Sequence, residues 1–244
     1  MPTFYFEKYF PAKTIFVFLA FILLATNYPA NAQGQKISVK KKSQILKDGQ
    51  KQTIHSKCYY SQTEGTVVNH YIEPEEFIKI TNRKGELKIY FPEENKVSIT
   101  QDFYFSSENE LLYYFVNNYT EDLGLRKEGF KMTDSEHDGQ YLVTVWKPEE
   151  DMKVIEKVEI VFENTIPVYS AYYNKNNKII RKIYYSDYYK GTNFVLPKKI
   201  TEITYTSPKD STIKRTIFSD IKKNHEVDPY YLNFKIPEDA KSVD

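Results

Sequence analysis

Short runs in which every second residue is apolar dominate this chain and leave it little choice of architecture. Leu87, Ile89 and Phe91 alternate with Lys88 and Tyr90, and Val158, Ile160 and Phe162 alternate with Lys157, Glu159 and Glu163. A side-chain period of two puts one set of residues on each face of an extended strand. Tyr doublets carry the same message. Tyr59-Tyr60, Tyr113-Tyr114, Tyr172-Tyr173, Tyr184-Tyr185, Tyr188-Tyr189 and Tyr230-Tyr231 occur among 22 Tyr and 16 Phe. Aromatic and β-branched side chains suit a pleated, half-buried surface. A doublet on a strand sends one ring to each side, so rings are expected on both faces of the sheet.

Turn signals separate these runs at short intervals. Asp48-Gly49, Glu64-Gly65, Pro74, Lys84-Gly85, Pro92 to Asn95 and Asp138-Gly139 punctuate the first part of the chain. Asn174 to Asn177, Gly191 to Asn193 and Ser207 to Asp210 do so in the second part. Residues 97–105 are expected to be extended. One segment breaks the rhythm: Ser107-x-x-Glu110 has the form of a helix capping box, and Leu111, Leu112, Phe115, Val116 and Tyr119 fall on one helical stripe. Gly124 is the expected helix stop. The pattern predicts a mainly β, antiparallel domain over residues 33–244, with about eleven strands and one main helix.

The N-terminus reads as a targeting segment. Lys8 and Lys13 precede the apolar run from Ile15 to Ala25, which is shorter than the ~18 apolar residues a membrane span needs. Ala30-Asn31-Ala32 supplies a small-x-small cleavage pattern. Residues 1–32 are therefore expected to be a signal peptide cleaved after Ala32, which points to a periplasmic protein. The 34 basic and 33 acidic residues become 32 and 32 once Glu7, Lys8 and Lys13 are removed. With balanced charge there is no field to draw in nucleic acid, and none is expected as a partner. Cys58 stands alone, so no intrachain disulfide can form. A monomer is expected.

No arrangement of residue types points to catalysis. His55 and Cys58 are an odd number of residues apart, which sends them to opposite faces of a strand, and His70 falls beside them at best; no metal site is expected. Ser135-Glu136-His137-Asp138-Gly139 holds catalytic residue types, but in a turn that favours them anyway. Glu75-Glu76, Glu93-Glu94 and Glu149-Glu150 read as surface pairs. No phosphate-binding loop, dinucleotide fingerprint or nucleophile elbow occurs. No catalytic residue and no cofactor are expected.

What remains is apolar surface. Stripes occur at Ile78/Ile80, at Leu87/Ile89/Phe91, at Val143/Val145 and at Val158/Ile160/Phe162, with Leu111/Leu112/Phe115/Val116 on the helix packing onto them. One short helix cannot cover a whole sheet face. The residues expected to line an apolar ligand cavity are therefore Ile78, Ile80, Ile89, Phe91, Leu112, Phe115, Val116, Val158, Ile160 and Phe162.

Three stretches resemble the LolA-like superfamily of periplasmic lipoprotein carriers and outer-membrane lipoprotein-sorting proteins. They are Glu73-Pro74-Glu75-Glu76-Phe77-Ile78-Lys79-Ile80, the strand from Gly85 to Val97, and Phe194-Val-Leu-Pro197 together with Phe234-Lys-Ile-Pro-Glu-Asp239. The resemblance implies an incomplete, half-open β-barrel lidded by helices. It also implies a carrier that binds lipid or lipoprotein acyl chains and passes them between envelope membranes, with inner- and outer-membrane envelope proteins as partners. The family's carriers open with a helix where Lys36 to Leu46 reads as a strand, and the arginine that gates their lid has no placed counterpart here. A non-transporting sensor or interaction module on the same fold, and a glycan-acting or glycan-binding β-protein, are the alternatives.

Overall fold

The computed structural model describes residues 34–207 and 210–243; the predicted signal peptide lies outside the described residues. Two antiparallel meanders make up the molecule. The first runs β1 (Lys36–Lys47), β2 (Gln50–Ser61), β3 (Thr66–Glu73), β4 (Phe77–Thr81), β5 (Glu86–Phe91) and β6 (Lys96–Gln101). The second runs β7 (Phe130–Asp138), β8 (Tyr141–Pro148), β9 (Ile155–Glu163), β10 (Ile166–Asn174), β11 (Ile179–Lys190), β12 (Val195–Ser207) and β13 (Asp210–Lys223). Between them lie two 3-10 turns and α1 (Leu111–Val116). After β13 come a 3-10 turn, α2 (Pro229–Leu232) and the two-residue β14 (Lys241–Ser242).

Among the described residues, fourteen strands form one sheet, in the order β14-β6-β5-β4-β3-β2-β1-β13-β12-β11-β10-β9-β8-β7. The meanders join where β1 pairs antiparallel with β13. At that seam the Ser43 and Thr216 hydroxyls lie 3.3 Å apart. The sheet is curled but not closed, an open β-barrel. The strand count exceeds the predicted eleven, but the class is as expected. Asp48-Gly49 turns as its sequence suggests: both residues have positive φ, 51° and 73°, and Lys47 pairs with Gln50 across it. That is the geometry whose twist matches a two-residue hairpin.

The face that packs against α1 is the inner face. Its central core is built from Ile37 and Val39 of β1, Tyr60 of β2, Val67 of β3, Tyr185 of β11, Leu196 of β12 and Phe218 of β13, against Leu112, Phe115 and Val116 of α1. Farther along this face Val158, Ile160 and Phe162 pack with Trp146, Leu125 and Phe130. The opposite, outer face is covered over β2–β6 by the C-terminal tail, through Val227 and Leu232 with Tyr231, Phe234 and Ile236 beside them. The Tyr doublets divide as the alternation requires. Tyr60 contacts Tyr113 of α1, with ring centroids 6.4 Å apart, while Tyr59 stacks on Tyr231 of the tail at 4.8 Å.

The helix is shorter than its stripe predicts. Ser107 does not cap it. Ser106 caps a 3-10 turn by accepting from the Glu108 N–H, and the Ser107 hydroxyl instead donates to the Gly65 carbonyl at 2.6 Å. Glu110 becomes the N-cap of α1 without a side-chain bond. Two asparagines, and not Gly124, end the helix. The Asn117 amide donates to the Tyr113 carbonyl at 2.7 Å, and Asn118 takes φ 58°. Tyr119 consequently leaves the stripe and is exposed. Gly124, at φ 90°, makes room for the Tyr114 ring: a Cβ there would meet the hydroxyl oxygen at 2.3 Å. β6 also stops at Gln101, and Phe103–Phe105 form a 3-10 turn in place of the expected strand.

Candidate binding site beneath the lid

On the inner face, alternate positions of several strands pass from apolar to charged in the same direction. β13 presents Phe218, Thr216 and Lys214; β12 presents Ile200 and Glu202; β11 presents Ile183 and Arg181. The register sets these side by side, with Ile200 opposite Thr216 and Glu202 opposite Lys214. Ile183 likewise lies opposite Glu202 on the neighbouring pair. Same-face neighbours on a strand are about 7 Å apart. Polarity therefore changes completely within one or two side-chain steps. Lys41 of β1, in register with Phe218, brings a further charge to the rim, and Cys58 of β2 and Leu112 of α1 add apolar lining. These residues enclose a cavity of about 290 Å³, near the lower end of the ~300–1,000 Å³ typical of small-molecule sites.

The lid is fastened at both ends. On one side Lys79 Nζ meets Glu110 Oε1 at 3.2 Å, and the Ser106 hydroxyl donates to the Arg83 carbonyl at 2.9 Å. Asn117 donates through Nδ2 to the Tyr60 hydroxyl at 3.0 Å, and its Oδ1 accepts from Gln62 Nε2 at 2.9 Å. On the other side Asn118 Nδ2 donates to the Asn193 carbonyl at 2.6 Å. Phe115 fills the space between, its ring 5.9 Å from that of Tyr185 and 6.2 Å from that of Tyr188.

Burial sets the electrostatics of the pocket. It pushes the Cys58 thiol up to about 12 and the Tyr114 phenol up to about 12, so both stay protonated at neutral pH. Burial also raises Tyr172 and Tyr185. At the charged end, Arg181 Nε lies 2.7 Å from Glu202 Oε1, and the guanidinium sits 5.0 Å from the centre of the Tyr172 ring. Desolvation raises the Glu128 carboxyl, opposed by Arg181. The Lys214 ammonium is held below the usual lysine range, first by burial and then by the charge of Lys41.

The ten residues singled out from sequence are not brought together. Leu112 lines the cavity. Phe115 and Val116 are fully buried in the contact between α1 and the sheet. Val158, Ile160 and Phe162 face inward, but Leu125, Phe130 and Trp146 already fill the space above them. Ile89 and Phe91 lie on the inner face, half-buried and outside the cavity lining. Ile78 and Ile80 are a correction: they point to the outer face, in register with Tyr90 and Lys88 and beneath the C-terminal tail. Both faces of β4 are covered, so alternation alone could not say which one held a ligand. The residues missed are Cys58 and those of β11–β13. Their signal was the order apolar-then-charged at alternate positions, Ile183/Arg181 and Phe218/Thr216/Lys214. His55 and His70 are engaged elsewhere, with Glu73 Oε2 at 2.7 Å and Glu76 Oε1 at 2.8 Å.

No protein-family model matches the chain, and neither does any curated protein. Solved structures do share its fold. A DUF1329 family protein from Desulfovibrio piger is 12% identical, with 92% of this chain and 98% of that one aligned at a TM-score of 0.55. A domain from Vibrio parahaemolyticus described as an outer membrane lipoprotein-sorting protein is 12% identical over 89% and 95%, with a TM-score of 0.54. A LolA superfamily protein from Nitrosomonas europaea is 10% identical over 82% and 90%, with a TM-score of 0.53. The chain thus has a LolA-like fold: a half-open β-barrel with a lidded inner face. Among the described residues, no helix is long and apolar enough to cross a membrane.

Proposed function

We propose that this protein is a non-catalytic periplasmic carrier, exported by residues 1–32, that shelters acyl chains of lipid or lipoprotein under α1 and passes them between envelope membranes. The observation that carries this reading is the cavity itself, an apolar floor of Phe218, Ile200 and Ile183 beneath Leu112 of the lid that opens toward charge. The fold shared with a lipoprotein-sorting domain and a LolA superfamily protein supports it.

The size of the cavity bounds its load. A water molecule's share of liquid volume is roughly 30 Å³. By that yardstick 290 Å³ corresponds to about ten methylenes, which is one chain and not two or three. Ten methylenes at ~0.8 kcal/mol each give about 8 kcal/mol of burial. Association costs at least about 4 kcal/mol. What is left corresponds to roughly millimolar affinity, weak enough for exchange.

Lipid extraction from protein purified out of its own envelope tests the reading directly, since a co-purifying acyl chain is expected. Leu112→Asp puts a carboxylate on the cavity side of the lid and is expected to weaken uptake of a fluorescent fatty acid at least tenfold. Unchanged uptake in a folded variant would overturn the proposal.

A further inference from the structure

Three acids and three cations line the cavity, and one of those acids is claimed by a lysine from outside the lining. Glu202 is held by Arg181 at 2.7 Å, and Glu110 by Lys79 at 3.2 Å. Glu128, the remaining acid of the lining, faces Arg181, which opposes the upward pull of its burial. Lys41 and Lys214 line the same wall, and neither forms an ion pair among the described residues. Lys214 stands directly across the strand pair from Glu202, yet that carboxylate is turned to Arg181. Glu202 and Glu110 act on Lys214 from beyond ion-pair distance, and two half-buried ammonium groups that repel each other remain costly to hold. Each is one or two same-face steps from the apolar floor: Lys214 from Phe218 through Thr216, and Lys41 from Val39.

We propose that the cavity takes a single-chain amphiphile with an anionic head, a carboxylate or phosphate seated between Lys41 and Lys214. Its hydrocarbon tail lies along Leu112, Ile183, Ile200 and Phe218. The inference rests on the carrier reading and names the ligand class of that same site. The volume limits the tail to about the length of a dodecyl chain. Two charge-assisted contacts add the affinity that hydrocarbon burial alone does not supply.

The test compares three probes with matched twelve-carbon tails on delipidated protein at pH 7 by calorimetry: laurate, dodecyl phosphate and uncharged monolaurin. Both anions are expected to bind at least tenfold tighter than monolaurin, and the tighter of the two identifies the head. The double variant Lys41→Gln/Lys214→Gln is expected to lose that preference while keeping its affinity for monolaurin. The charge-preserving Lys41→Arg/Lys214→Arg is expected to retain the preference. Equal binding of all three probes to the unaltered protein would overturn the headgroup inference and leave the carrier reading in place. So would a preference that survives in the folded glutamine variant. If none of the three binds folded protein, the carrier reading itself is overturned.

Discussion

Cys58 is only 5% exposed and sits on the inner face opposite Val39. Its thiol titrates near 12 in the folded chain against an ordinary value of 9.0. Between those values the folded protein keeps a proton that the unfolded chain has released. The stabilisation this gives is whole below pH 9 and is lost as the pH rises toward 12, by up to about 1.4 kcal/mol per pH unit. Tyr114 acts in the same direction above pH 10, its ordinary value. Urea midpoints are expected to fall steadily from pH 9 upward. A thiol reagent at pH 8 is expected to label Cys58 slowly, because the thiol is protonated and nearly buried, and bound fatty acid is expected to slow it further. Phe115, with no exposed surface, makes the core's most direct demand: Phe115→Ala is expected to cost about 3–5 kcal/mol in a urea titration. At this scale much was legible in the sequence. The Tyr59-Tyr60 and Tyr184-Tyr185 doublets do split between the faces. The assignment of Ile78 and Ile80 failed because a strand covered on both sides gives the same alternation whichever face is read as inner.

Two short elements control access to the two faces. Asn117 ties α1 to Tyr60 and Gln62. Asn117→Ala leaves those partners unsatisfied and is expected to cost about 1–3 kcal/mol. Protease cleavage between residues 102 and 129 should rise, because Asn117 also closes the end of α1 through the Tyr113 carbonyl. On the other face Tyr231 stacks between Tyr59 at 4.8 Å and His70 at 4.7 Å, and Leu232 packs beside it. Leu232→Ala is expected to lower stability by about 2–5 kcal/mol and leave fatty-acid uptake unchanged, since the tail and the cavity lie on opposite sides of the sheet. Loss of uptake in folded protein would show that the faces communicate. The stripe of α1 was legible; its length was not. Gly124 looked like the stop, but Asn117 and Asn118 end the helix first through a backbone-directed amide and a left-handed φ. The turn at Asn164-Thr165, at φ 48° and 67°, was similarly hidden, because neither residue is the glycine that advertises such a bend.

Across the whole molecule, the β1–β13 seam joins residues about as far apart in the chain as the sheet allows, such as Ile37 with Lys223. Pairings this remote are slow to form, because loop closure must come before any reward. Ser43 lies buried in that seam, opposite both Thr216 and Ile54. A proline there removes a ladder donor from a strand paired on both sides. Ser43→Pro is expected to prevent folding, to be read as the absence of a cooperative thermal transition. The antiparallel β class was visible from the alternation and the turns, and the half-open barrel from the family resemblance. The cavity was not, since it depends on which strands the seam sets side by side.

That late-closing seam gives the chain a built-in check of its own completeness. A copy that ends before Ile213 would leave twelve-residue β1 with one flank of bare amides and carbonyls, the kind of border that aggregates or is degraded. Only a polypeptide synthesised through its thirteenth strand can hide that border.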